Sequence, residues 1–191
     1  MRNFQSKTYW IVGASEGLGR ALALQLAEIG AQVIISARNE ERLLELAEEI
    51  GCNSSVLPMD VSDESSVRKA FNKLPKTLDG FVFLSGVYWH ISASSWDIEK
   101  AEEMVDVNLV GAMRCLGYLV PKFTSQGFGH IVLTGSIAGY RGLPGSVGYC
   151  ASKAGLMSLA ETLKIDLAKD NIDVQLLNPG YIKTRLTDKN P

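Results

Sequence analysis

Short apolar runs alternate along this chain with longer stretches in which apolar residues recur at helical spacing. Residues 8–12 (T-Y-W-I-V) predict a buried strand, and residues 17–29 a helix with Leu18, Leu22, Leu26 and Ile29 along one face. Residues 32–36 predict a second strand. Residues 40–50 repeat Leu43, Leu44, Leu46, Ala47 and Ile50 as a helix that Gly51 ends. A third strand is expected at 55–59, followed by a helix capped by Ser62. Strands at 80–84, 130–134 and 173–177 complete the set. Between them lie a helical region at 98–124, with Pro121 near its end, and a helix at 149–168.

Strands that are apolar on both faces, joined by helical crossovers, specify a parallel sheet covered on both sides. Right-handed crossovers make it a doubly wound, three-layer α/β sandwich, in which ligands sit beyond the carboxyl ends of the strands. No linker, repeat or low-complexity segment interrupts the alternation, so residues 1–191 read as one domain.

Composition narrows the function. With 191 residues the chain can bury roughly 70% of its unfolded surface. A hydrophobic content of 46% with 21% charged residues is that of a folded domain, and a net charge of -2 lacks the basic face a nucleic-acid partner requires. The apolar run at 9–14 is too short for a signal peptide, and the stretch 21–37 contains Gln25, Glu28, Gly30 and Gln32. No membrane span is expected, and the location reads as cytoplasmic. Cys52, Cys115 and Cys150 have no metal-ligand spacing and read as reduced, buried thiols, with no metal expected.

The glycines acquire meaning from position. Gly13-Ala14-Ser15-Glu16-Gly17-Leu18-Gly19 follows the first strand and opens into a helix. Glycines allow a tight turn and close backbone approach to a diphosphate, while a helix N-terminus offers unpaired N–H groups. A nucleoside-triphosphate loop would continue with Gly-Lys-Ser/Thr, whereas Gly19 precedes Arg20 and Ala21. The second strand ends Ser36-Ala37-Arg38-Asn39, without the acid that usually binds a ribose 2′-hydroxyl. Arg38 matches a 2′-phosphate instead and predicts NADP over NAD, with NAD still usable; the bland alternative is a solvated surface charge. Glu16 would repel the same phosphate. Asp60, followed by Val61, can hydrogen-bond an adenine ring or cap the next helix.

A second constellation follows the fifth strand. Ser136 stands at its end, and Tyr149 and Lys153, four apart, share one face of the next helix. An ammonium beside a phenol favours the phenolate and lowers its pKa, which fits Tyr149 for proton exchange with a carbonyl or alcohol oxygen. Ser136 can donate a hydrogen bond to that oxygen. Taken alone, Tyr-x-x-x-Lys is equally an ordinary helix-surface pair.

Together these residues resemble the short-chain dehydrogenase/reductase family in its single-domain, Rossmann-type form, from about Thr8 to Thr184. The glycine motif corresponds to Gly13, Gly17 and Gly19, with Val12 in place of the usual threonine. The resemblance implies a catalytic set of Asn108, Ser136, Tyr149 and Lys153. It gives Lys153 a hold on the nicotinamide ribose and Asn108 a part in a water-linked proton relay. The cofactor-binding positions it implies are Gly13, Ser15, Glu16, Gly17, Leu18, Gly19, Arg38, Asp60, Val61, Gly86, Asn108, Tyr149, Lys153, Pro179, Gly180, Ile182 and Thr184. Asn108 lies in a helical run where asparagine is a poor helix former, an independent sign of a special role. The family's Asn-Asn-Ala-Gly appears as Phe83-Leu84-Ser85-Gly86, so bonds usually made by those asparagines must come from elsewhere. The family also continues past Thr184 into a lid, a helix and a last strand, for which Pro191 leaves little chain.

The implied activity is NADP-preferring hydride transfer to or from a small carbonyl or secondary alcohol. Loops carrying Tyr88, Trp89, His90, Tyr140, Arg141, Leu143, Pro144 and Tyr181 would form an apolar substrate pocket, or simply pack. By family analogy the chain is a homodimer or homotetramer. Met104, Val107 and Leu109 on one helix and Leu156, Leu159 and Leu163 on another would then pack between subunits, or against the sheet. A non-catalytic sensor or scaffold should have lost Tyr149 or Lys153, and a methyltransferase leaves both unexplained.

Overall fold

The computed structural model of the chain describes residues 2–185. In order these form β1 (Thr8–Val12), α1 (Gly17–Glu28), β2 (Gln32–Ser36), α2 (Glu40–Ile50), β3 (Ser54–Val56), α3 (Glu64–Phe71), β4 (Gly80–Phe83), α4 (Ile98–Val105), α5 (Gly111–Gln126), β5 (Gly129–Thr134), α6 (Val147–Asp166) and β6 (Ile172–Leu177). The six strands are all parallel, in the order β3-β2-β1-β4-β5-β6: a Rossmann-type α/β fold. Strand order reverses between β1 and β4, and a crevice opens beyond their carboxyl ends. No helix among the described residues is long and apolar enough to cross a membrane.

The period-2 pleat of each strand divides the core. In β1, Trp10 and Val12 pack with Phe81, Phe83, Leu116 and Leu156 on the α3–α5–α6 side. Tyr9 and Ile11 pack with Leu26, Leu43 and Leu46 on the α1–α2 side. Trp10 is fully buried because its indole N–H finds the Ser36 hydroxyl at 2.8 Å.

Several sequence expectations move. β3 stops at Val56, yet Leu57 and Met59 still donate to the carbonyls of Ile35 and Ala37 at 3.0 and 3.1 Å. Pro58 between them is tolerated because β3 is an edge strand. Asp63, not Ser62, caps α3: its carboxylate accepts from the Ser65 N–H, while Ser62 is bonded to Asp60. The region 98–124 is two helices joined by one wide π turn, Asp106–Val110, and it runs on to Gln126, where left-handed Gly127 ends it. Met104, Val107 and Leu156 are buried within this chain's own fold, and half-buried Leu109, Leu159 and Leu163 pack against its core. Within this chain Met104 packs with Tyr88, Ile91 and Ala101, and the other five pack on the core beside the sheet. Of the cysteines Cys115 is buried, its thiol pushed up to about 12 by desolvation, and Cys150 is half-buried; Cys52 is exposed, against expectation.

At the amino end of the sheet the Tyr9 ring lies across Gly80, where a Cβ would come within 2.1 Å of it. The Tyr9 hydroxyl thereby reaches His130 Nδ1 at 3.0 Å. Burial holds His130 below its ordinary pKa, so the fold favours the neutral ring. That contribution to stability is complete above the unfolded value near 6.5 and is lost as pH falls through the lower folded value. Urea unfolding from pH 7.5 to 4.5 is expected to show a drop in stability that His130→Gln reduces; identical pH slopes for the two proteins would count against this linkage.

Candidate active site

A cleft of about 430 Å³ opens at the strand-order reversal. Its floor is the glycine loop between β1 and α1. Gly13 has φ +93°, and a Cβ there would lie 2.5 Å from the Ser85 backbone nitrogen beyond β4. A Cβ on Gly19 would lie 2.1 Å from the Gly13 carbonyl oxygen. Only side-chain-free residues let this loop press against its neighbours. The N-cap of α1, Glu16, makes no capping hydrogen bond, so the first-turn amides can serve anionic oxygens.

The next wall is the end of β2. Exposed Arg38 lines the cleft there, and Asn39 caps α2 by accepting from the Arg42 N–H at 2.9 Å. Arg42 projects from this first turn into the same cleft. Sequence reasoning missed it, although its place four residues after Arg38 at a helix start was visible. Glu16, read as a conflicting charge, is ion-paired to Arg42 at 2.5 Å and to Arg185 at 3.2 Å. Asp60 lines the cleft beside Val61; its carboxylate accepts from the Ser62 N–H and hydroxyl, so it makes a local turn and does not cap α3.

The third wall carries the Ser, Tyr and Lys set. Ser136 follows β5 in extended backbone, buried, its hydroxyl oxygen accepting from the Ala138 N–H at 3.1 Å. Tyr149 and Lys153 project from α6 and line the cleft, with the Lys153 ammonium 5.7 Å from the Tyr149 ring centroid and donating to the Thr134 carbonyl at 2.7 Å. Lys153 is 5% exposed, and desolvation brings its pKa down to about 8. Burial raises the pKa of Tyr149, opposed by the neighbouring Ser136 hydroxyl. The lowering expected from the Lys153 ammonium does not set the direction in this geometry. Tyr88 meets the Tyr149 ring edge-on, centroids 5.2 Å apart.

Asn108 is fully buried in the π turn, a helical irregularity often found at functional sites. Its Oδ1 accepts from the Val87 N–H at 2.7 Å, and its Nδ2 donates to the Val87 carbonyl at 3.0 Å and to Ser152 Oγ at 3.1 Å. One side chain thus bridges the segment after β4 to the residue before Lys153. It supplies a tie there that Phe83-Leu84-Ser85-Gly86 cannot. Gly86 lines the cleft above it, where a Cβ would stand 3.3 Å from Asn108 Oδ1.

Of the cofactor positions read from sequence, Gly13, Ser15, Glu16, Gly17, Leu18, Gly19, Arg38, Asp60, Val61, Gly86, Tyr149, Lys153, Pro179, Gly180, Ile182 and Thr184 all line this cleft; Asn108 lies behind it. Tyr88 is buried, Trp89 donates its indole N–H to Glu103 at 2.6 Å, and the His90 ring fills the space over Gly145. Tyr140, Leu143 and Tyr181 are exposed, and the Tyr140 hydroxyl accepts from Asn178 Nδ2 at 2.9 Å. The residues fit a nicotinamide dinucleotide. The glycine cradle would be filled by any Cβ, guanidinium groups stand at one end, and Thr134 lines the other, its buried hydroxyl without a hydrogen-bond partner among the described residues.

Comparison with known proteins gives the same picture. The family model described as short chain dehydrogenase matches residues 7–191. A 3-oxoacyl-[acyl-carrier-protein] reductase of Rickettsia conorii is 34% identical over 189 residues, 99% of this chain and 78% of that protein. An uncharacterized oxidoreductase of Mycobacterium tuberculosis is 33% identical over 94% of this chain and 75% of its own length. The closed form of a serine dehydrogenase complexed with NADP+ superposes with a TM-score of 0.91 at 27% identity, covering 95% of this chain and 75% of that one.

Proposed function

The chain belongs to the short-chain dehydrogenase family, and from that premise we propose that it is an NADP-preferring oxidoreductase acting on a carbonyl or secondary alcohol. The observation that carries this reading is that Tyr149 and Lys153 line one cleft with the glycine cradle and Arg38, with the Ser136 hydroxyl beside the Tyr149 phenol at the carboxyl end of β5. When bound, the nicotinamide cofactor supplies or accepts the hydride. The glycine loop and the first turn of α1 would hold its diphosphate, Arg38 its ribose phosphate and Lys153 its nicotinamide ribose, with Pro179, Gly180, Ile182 and Thr184 lining the same cleft. Tyr149 gives a proton to the carbonyl oxygen in reduction and takes it back in oxidation, while Ser136 donates a hydrogen bond to that oxygen. A phenol held above its ordinary pKa is protonated at neutral pH, the form carbonyl reduction consumes. Asn108 fixes Val87 and, through Ser152, the helix turn that carries Lys153.

Likeness to 3-oxoacyl-[acyl-carrier-protein] reductases makes 3-oxoacyl thioesters the first substrates to try. The same reading includes a cytoplasmic location and a homodimer or homotetramer. Exposed Met113 and Ile165 on α5 and α6 are apolar surface that a second copy could cover. Nicotinamide absorbance should fall when 3-oxoacyl thioesters or other carbonyls are mixed with NADPH, and more slowly with NADH. NADPH binding without turnover across carbonyls and alcohols would favour a non-catalytic sensor.

A further inference from the structure

Three walls of the cleft meet on one carboxylate oxygen. Glu16 belongs to the glycine loop, Arg42 to the first turn of α2 and Arg185 to the segment after β6; both guanidiniums bond Glu16 Oε2, at 2.5 and 3.2 Å. The three side chains are 39% to 66% exposed, so water screens each pair and either guanidinium can exchange its partner readily. Arg38, four residues before Arg42, lines the same wall and has no carboxylate partner among the described residues. The other carboxylate in the cleft, Asp60, is engaged by Ser62. A dianion at the end of β2 therefore meets one open guanidinium, a second whose present partner is a screened carboxylate, and that carboxylate itself. Guanidinium binds phosphate through a planar fork of N–H groups, a better match than a single carboxylate oxygen shared between two arginines.

We propose that Arg42 is a second reader of the 2′-phosphate beside Arg38, and that Glu16, its resident counter-ion, sets how strongly a phosphate-bearing cofactor is preferred. This rests on the NADP reading above. It also explains why an acid is tolerated in the glycine loop: Glu16 holds Arg42 and Arg185 at the mouth of the cleft and weakens discrimination without abolishing it.

The test is calorimetric titration of the full chain with 2′,5′-ADP and with 5′-ADP, so that no turnover is needed. The affinity ratio of the two is expected to fall about tenfold in Arg42→Gln, with 5′-ADP changed much less. In Glu16→Gln the ratio should rise severalfold, because repulsion of the phosphate is removed while Arg42 stays. Arg42→Lys, which keeps the charge but loses the fork, should fall between wild type and Arg42→Gln. A ratio unchanged by Arg42→Gln but collapsed by Arg38→Ala overturns the role of Arg42 and leaves NADP preference standing. A wild-type ratio near one overturns NADP preference itself, and this inference with it.

Discussion

Replacing Tyr149 with phenylalanine is expected to lower kcat by about a hundred- to ten-thousandfold while leaving NADPH affinity nearly unchanged. The substitution is clean because the ring stays. Tyr88 still meets it edge-on at 5.2 Å, and the Lys153 ammonium still lies over its face at 5.7 Å from the centroid. Only the hydroxyl leaves, and with it the proton that must reach the substrate oxygen as hydride arrives at carbon. Removing a hydroxyl from a half-buried ring should change thermal stability little, since phenylalanine fits the same volume. Steady-state kinetics with the best carbonyl substrate, together with NADPH binding by fluorescence, measures both halves. Turnover above a tenth of wild type would remove Tyr149 from the role of proton donor.

What the sequence makes legible here is what depends on local spacing. Gly13, Gly17 and Gly19 are readable because a turn from strand into helix needs them within seven residues, and Tyr149 and Lys153 because one helical turn aligns them. Asn108 announced itself as a poor helix former, and the structure supplies the reason: a widened turn whose side chain bonds Val87 and Ser152. Arg42, Glu16 and Arg185 were opaque as a group, since they lie on three segments that only the folded cleft brings together. The cap of α3 was misplaced by one residue because Ser62 and Asp63 are both good caps, and Asp60 decides between them by taking Ser62. The direction of the Tyr149 pKa was unreadable for a different reason. Spacing shows that an ammonium is near but not how deeply the phenol is buried, and here burial is the larger influence.

The same burial makes Lys153 the residue at which activity and stability should separate. Lys153→Met is expected to abolish turnover and yet to make the protein more stable at pH 7. The ammonium is 5% exposed, and desolvation takes it from its ordinary value of 10.5 to about 8. A lysine whose folded pKa is depressed leaves stability intact above the unfolded value and removes it as pH falls through the folded one. At pH 7 that loss is on the order of 3 kcal/mol. Methionine has similar length and no charge to desolvate, so it recovers most of this. Against it stands the lost hydrogen bond to the Thr134 carbonyl, worth about 1–2 kcal/mol for a charged donor. The net gain of about 1–2 kcal/mol should appear as a rise of a few degrees in Tm. It should shrink as pH rises toward 10.5 and reverse above it, where the wild-type lysine is largely neutral in both states and keeps its hydrogen bond. Urea unfolding of both proteins at pH 7 and pH 10 separates this from generic repacking, which would shift stability equally at both. A less stable Lys153→Met at pH 7 would mean that the ammonium is held by more than Thr134. A stable but inactive variant would show that the fold carries a destabilising cation beside Tyr149 for function and not for stability.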